Sequence, residues 1–292
     1  MSRTFRIRGG SGVKNSFHPL GLDEIREYAP SVFATAPHDS RSDRYRFVPT
    51  SEIVTALAGL NYGVMSAQQS GSRSDDKRGH TKHMLRFRPL GMAPLALDGV
   101  FPEIVLVNSH DGSSAYQLHI GLFRLICTNG MIASDGQFSR VSIRHNRAIL
   151  DDVCQAVTDI AARMPAVLDR VGEFRGITLS YDERVEFARE ALAVKYPTTE
   201  EAAPGSSAAP IEPRVILIPK RQEDAAPSLW NVLNVIQENL MAGGQRYDTR
   251  PVNGQRPQRR RTGGVNSISG NLSINQAVWE IARRMAEARM SV

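Results

Sequence analysis

The 292-residue chain lacks most of the signatures by which a sequence declares its chemistry. It has no run of about 18 apolar residues, the length a spanning helix needs, so no membrane partner is expected. The N-terminus is basic, but no apolar core follows it as in a secretory signal. Cysteine is limited to Cys127 and Cys154, in apolar surroundings and without metal-ligand spacing. That usage predicts two buried, reduced thiols in a soluble cytoplasmic protein. The motifs G-x-G-x-x-G, G-x-x-x-x-G-K-[ST] and G-x-S-x-G do not occur, which argues against a phosphate-cradling loop or a nucleophile elbow. His80 and His83 flank a turn, and His110 and Asp111 sit at a hairpin tip, but a His-x-x-His in a loop lacks the helical spacing that puts two imidazoles on one face. His119, inside an apolar run, reads as a core or interface histidine. The expectation is a protein without cofactor, metal or catalytic residues, and not an enzyme.

What the chain does have is clustered positive charge. The net charge is +6. The first fourteen residues carry Arg3, Arg6, Arg8 and Lys14 and no acid. A second stretch holds Arg73, Lys77, Arg78, Lys82, Arg86 and Arg88 against Asp75 and Asp76 alone. A third holds Arg246, Arg250, Arg256, Arg259, Arg260 and Arg261 against Asp248 alone. Clustering of this kind favours a polyanionic partner, because phosphate neutralisation supplies most sequence-independent affinity for nucleic acid.

The hydropathy pattern predicts an α+β fold. Residues 1–48 read as a basic arm and an irregular segment. A core domain over 49–197 opens with a helix from Pro49, followed by strand character at 62–69. Residues 70–81 contain no apolar side chain and read as a loop. An antiparallel sheet with a β-hairpin over about 83–126 turns at His110-Asp111-Gly112, since Asp-Gly between apolar runs is a strong hairpin signal. Alternation in the strand at 83–88 puts Arg86 and Arg88 on one face and Leu85 and Phe87 on the other. That face would present a row of guanidinium groups.

The clearest helix spans about 147–171, where Leu150, Val153, Val157, Ile160, Met164, Val167 and Val171 recur in steps of three and four. Ser180 and Glu183 form a capping box for the next. Residues 198–214, rich in Pro, Ala, Ser and Gly, read as a linker or long loop. The C-terminal region, 215–292, is expected to be helical after a short strand-like patch at 215–218. It carries a basic segment at 245–261 that suits a mobile arm ordering on a phosphate backbone, and a closing helix from Ser273.

Residues 103–131 resemble a known family. The shared features are Asn108-Ser109-x-Asp111-Gly112 and then Gly121-x-x-Arg124-x-x-Cys127-x-Asn129-Gly130-Met131. Trp230-x-x-Leu233-Asn234 looks like the same family's C-terminal region. The family is the phage- and plasmid-related domain of unknown function 932, and the resemblance covers roughly residues 50–245. It implies a mobile-element setting and no settled activity. The element order of helix, strands, hairpin and long helix also looks like the core of single-strand annealing proteins of the RecT and Redβ type, an analogy of arrangement only.

These readings converge on a cofactor-independent DNA-binding protein, with single strands preferred to double, possible strand annealing, and assembly as a homo-oligomer. Arg73, Lys77, Arg78, Lys82, Arg86, Arg88, Arg124, Arg246, Arg256, Arg259, Arg260 and Arg261 are the expected contacts. Arg124 is either paired internally or exposed along a groove, and Asn129-Gly130 is explained equally well as a turn. A protein–protein or anti-defence module and a metal-dependent nuclease are the alternatives.

Overall fold

A computed structural model describes residues 4–5, 13–40, 47–72, 74–91, 99–124, 130–133, 141–143, 149–197, 209–249 and 256–290. The expectations for Arg3, Arg6, Arg8, Arg73, Cys127, Asn129 and Arg250, and for most of the 198–214 linker, fall outside them. The chain divides into two compact units, Met1–Val167 and Leu168–Val292. The fold is α+β.

The first unit is built on a curled antiparallel sheet. Its strands, in spatial and chain order, are β1 (Thr4–Phe5), β2 (Val13–Asn15), β3 (Tyr62–Gln69), β4 (His83–Pro89), β5 (Val100–Asn108), β6 (Tyr116–Arg124) and β7 (Gly130–Ala133). A further strand, β8 (Val141–Ile143), pairs with the opening residues of β6, and β7 with its later ones. The N-terminal segment therefore supplies strands to the sheet, with β1 at its edge and Val13–Asn15 pairing with Gln68–Ser66 of β3, rather than remaining an irregular arm throughout. Between β2 and β3 come α1 (Leu22–Tyr28), a 3-10 turn (Pro30–Phe33) and α2 (Thr50–Gly59).

Register decides which side chains share a face. Leu85 pairs with Leu106 and Phe87 with Ile104, while Leu106 and Ile104 pair in turn with Leu118 and Ile120. All six are buried. Burying each such side chain contributes roughly 1.5–3 kcal/mol. On the opposite face Arg86 pairs with Val105, Val105 with His119 and Glu103 with Gly121. Every residue of β5 is buried, so the sheet is covered on both faces rather than open on one. A β-carbon at Gly121 would come within 2.8 Å of Val105 Cγ2 and 3.6 Å of Glu103 Cβ, which is why this row takes a glycine.

Helix α3 (Ile149–Gly176) runs five residues beyond the expected 171 and contains Pro165. Its buried positions, among them Val153, Val157, Ile160, Met164, Val167 and Val171, keep the three-and-four spacing read from the sequence. Cys154 lies on this helix, half-buried, and burial first, then Asp151, raises its thiol pKa.

In the second unit α4 (Tyr181–Lys195) starts at the expected capping box: Ser180 Oγ accepts from Glu183 N, and Glu183 Oε2 from Ser180 N at 2.7 Å. Helix α5 (Leu229–Ala242) is buried along nearly its whole length and packs against α4 and α6 (Ile268–Met290). Its amides organise the surroundings. Asn239 Nδ2 donates to the carbonyls of Ile216 and Ile218, both at 3.0 Å, and Gln237 Nε2 to Asn275 Oδ1 at 2.9 Å. Those bonds explain one correction: the patch at 215–218 is not a strand, since its first three residues belong to a 3-10 turn, Pro213–Leu217, which Ile218 ends. The closing helix also begins earlier than Ser273, because Ser267 Oγ accepts from Gly270 N at 3.0 Å and caps it there.

Candidate nucleic-acid interface

The basic segment at 245–261 is an ordered ribbon where it is described. Strands β9 (Arg246–Asp248) and β10 (Arg259–Arg261) pair antiparallel, Arg246 opposite Arg261, Tyr247 opposite Arg260 and Asp248 opposite Arg259. The ladder continues outward through Thr249 N to Gln258 O at 2.9 Å, and inward through Thr262 N to Gln245 O at 2.9 Å. Where it is described, the segment is thus a paired two-stranded ribbon, while residues 250–255 of the expected arm lie outside the described residues.

Its base is held from two sides. Gly243, which ends α5, has φ +63, and a β-carbon there would lie 2.5 Å from Gly263. Only glycine fits both that conformation and that approach. Lys195, ending α4, donates to the carbonyls of Leu240 at 2.5 Å and Gly263 at 2.8 Å.

Strand alternation places Arg246, Asp248, Arg259 and Arg261 on one face of the ribbon, and Tyr247 with Arg260 on the other. Arg246, Arg256, Arg259, Arg260 and Arg261 are all exposed. Among the described residues, the one ion pair these arginines make joins Arg259 Nε to Asp248 Oδ1 at 3.6 Å; Arg260 donates to Gln258 Oε1 at 3.2 Å. Elsewhere in this unit arginines commonly meet carboxylates: Arg170 with Glu173, Arg221 with Asp224 and Glu238, Arg283 with Glu280 and Glu287, Arg284 with Glu190, Arg289 with Glu183. Among the described residues of the ribbon, by contrast, Arg259 alone meets a carboxylate.

The first unit places its expected contacts in two environments. Lys77 and Arg78 are exposed and Lys82 half-buried on the loop before β4. Arg78 pairs with Asp75 at 2.7 Å. The loop is tied down by backbone: Gln69 Nε2 donates to Arg78 O at 2.7 Å, Thr81 Oγ1 to Ser70 O at 2.9 Å, and His110 N to His80 O at 2.9 Å. By contrast, Arg86, Arg88 and Arg124 are buried.

The face assignment for Arg86 and Arg88 is right, but the open row of guanidinium groups is not there, because both side chains turn onto Glu103. Glu103 Oε1 accepts from Arg88 Nε at 3.1 Å and Nη2 at 2.6 Å, and its Oε2 lies 3.3 Å from Arg86 Nε. Burial pulls the Arg86 pKa down, Glu103 pushes it back up and Arg88 lowers it further. The planes also rest on aromatic rings, Arg88 3.9 Å from the Phe101 centroid and Arg86 4.6 Å from that of Phe123.

Sequence reasoning missed a polar junction on the other face. His83, Asn108 and Tyr116 form one cross-strand row at the end of the sheet, and Thr50, at the start of α2, sits on it fully buried. His83 Nδ1 donates to the Thr81 carbonyl at 3.1 Å, so its Nε2 accepts from the Thr50 hydroxyl at 2.9 Å. That hydroxyl accepts from Asn108 Nδ2 at 3.2 Å, and His110 Nε2 approaches it at 3.2 Å. Tyr116 donates to the Val48 carbonyl at 2.8 Å. Burial drives the His83 pKa down to about 4, against the Thr81 carbonyl and the Asp111 charge. The signal in the sequence was the position of His83, Asn108 and Tyr116 at the ends of successive apolar strands. Among the described residues no group of three His, Cys, Asp or Glu stands where it could hold a metal ion, and no helix is long and apolar enough to cross a membrane.

The fold and its buried junctions place the motif residues of the sequence. Asn108 joins the Thr50 junction, Ser109 Oγ accepts from Ser114 N at 2.8 Å, and Asp111 Oδ1 from Ser113 N at 2.9 Å, closing the β5–β6 turn. The chain belongs to the family described as Domain of unknown function (DUF932), whose model matches residues 37–279. It is 30% identical over 285 residues, 98% of each chain, to the UPF0380 protein YafZ of Escherichia coli strain K12, and to the same extent to the UPF0380 protein YfjQ of that strain. No solved structure matches, so the likeness to single-strand annealing proteins stays one of element order.

Proposed function

We propose that the protein binds nucleic acid without sequence specificity, single-stranded DNA in preference to duplex, through the β9–β10 ribbon. The observation that carries the reading is the ribbon's unpaired charge: among the described residues, Arg246, Arg256, Arg260 and Arg261 are exposed with no carboxylate in ion-pair range. A two-stranded ribbon offers these groups at fixed spacing, and phosphate contacts of this kind position a strand without reading its bases. Tyr247, beside Arg260 in register, adds an aromatic surface of the sort on which bases stack. Lys77, Arg78 and Lys82 of the first unit are a second, weaker contribution, since Arg78 already has Asp75.

Strand annealing by a homo-oligomer is the cellular use this reading favours, with the backbone held and the bases left free to pair. It needs neither nucleotide hydrolysis nor metal. The test is fluorescence anisotropy with a labelled single-stranded oligonucleotide and its duplex, using the wild type and an R259Q/R260Q/R261Q variant. Tighter binding of the single strand, weakened at least tenfold in the variant, is the expected result. Equal affinity of the variant would remove the ribbon from the interface. Acceleration of pairing between complementary strands, measured in parallel, tests the annealing step.

A further inference from the structure

The sheet face that carries Arg86 and Arg88 holds a charge imbalance for which the ribbon offers no account. Two guanidinium groups, with side chains 7% and 8% exposed, share one carboxylate, Glu103, at 1%. Arginine stays protonated in proteins, so among the described residues one positive charge is left over. A buried charge without a counterion is costly, and proteins pair such charges. Glu103 is the only carboxylate within ion-pair distance of either group among the described residues. The other polar partner is neutral: Arg86 Nη2 donates to Asn15 Oδ1 at 3.3 Å. Arg86 Nε, 3.3 Å from Glu103 Oε2, is not aligned for a hydrogen bond. Ring faces of Phe101 and Phe123 soften the cost through their quadrupoles but bring no net charge.

We propose that Arg86 and Arg88 form a binding site for a phosphate group, which supplies the missing negative charge. Planar, forked donors on adjacent same-face positions suit the tetrahedral oxygens of phosphate better than a single point charge would. The site also has an aromatic margin. Phe17, 44% exposed, meets Phe123 edge-on with ring centroids 6.3 Å apart, so a ring attached to the phosphate would find an apolar partner. The ligand class is a phosphorylated compound bearing a flat ring: a nucleoside monophosphate, or the phosphorylated end of a nucleic acid strand. The site stands independently of the ribbon.

Thermal melting of the full chain in sodium phosphate against sodium chloride at matched ionic strength tests it. A saturable rise of roughly 2–4 °C is expected once phosphate is about tenfold above its dissociation constant. The R259Q/R260Q/R261Q variant should keep that rise, and R86M should lose it. If R86M does not fold, R86K retains the charge without the fork and should weaken the effect at least tenfold. No rise beyond chloride in the wild type, a rise undiminished in R86M or R86K, or one lost only in the ribbon variant overturns the proposal. Thymidine monophosphate and paired oligonucleotides with 5′-phosphate or 5′-hydroxyl ends separate the sources. Greater protection by the 5′-phosphate oligonucleotide assigns a strand end, and protection by the mononucleotide alone assigns a free nucleotide. A wild type that binds no oligonucleotide yet shows the phosphate rise would sink the ribbon reading and leave this one standing.

Discussion

At the scale of single residues, the Thr50 hydroxyl and the His83 imidazole bear most weight for their size. Thr50→Val removes the proton donor to His83 and the acceptor for Asn108, leaving buried polar atoms unsatisfied. The expected cost is about 2–4 kcal/mol, read as a lower urea midpoint. His83 also makes stability depend on pH. Its folded pKa, about 4, lies below the ordinary 6.5, so the unfolded chain takes up this proton first as pH falls. The contribution is complete above pH 6.5 and lost progressively down to about pH 4. Over that window it amounts to about 3 kcal/mol. Urea melts between pH 7 and pH 4 should show this slope in the wild type and a flatter one in His83→Gln, which is destabilised at neutral pH but does not titrate. An unchanged slope would assign the acid sensitivity elsewhere.

At the scale of elements, the ribbon depends on its base more than on its short ladder. Gly243→Ala puts a β-carbon into Gly263 at a left-handed φ and is expected to cost about 1–3 kcal/mol. It should loosen β9–β10 while leaving the first unit's melting unchanged, which hydrogen exchange on Tyr247 and Arg260 would detect. Elements with strong local signals were legible in the sequence: the Pro49 helix start, the 62–69 strand, the Asp-Gly hairpin and the Ser180 capping box each depend on neighbours in the chain. Elements fixed by distant partners were not. The turn at 213–217 is set by Asn239, some twenty residues on, and the ribbon by Gly243 and Lys195. Alternation placed Arg86 and Arg88 on one face correctly, but alternation carries no information about Glu103 on the next strand. Charge in the sequence thus looked like an open interface where the fold had turned two of its arginines inward.

For the whole molecule, the basic stretches of the sequence have different fates: Arg86 and Arg88 are buried against Glu103, Arg78 is paired with Asp75 on the loop before β4, and the described arginines of the ribbon are exposed. The ribbon, where Arg259 alone among the described arginines has an ion pair, carries the proposed function. Counterion release makes the most direct test of that claim, because affinity for a single strand falls with salt in proportion to the phosphates neutralised, by roughly 0.7 in log–log slope for each. The slope should be clearly negative for the wild type and shallower by about 2 for R259Q/R260Q/R261Q, which removes three cations. A wild-type slope near zero, or a variant slope equal to it, would contradict the account.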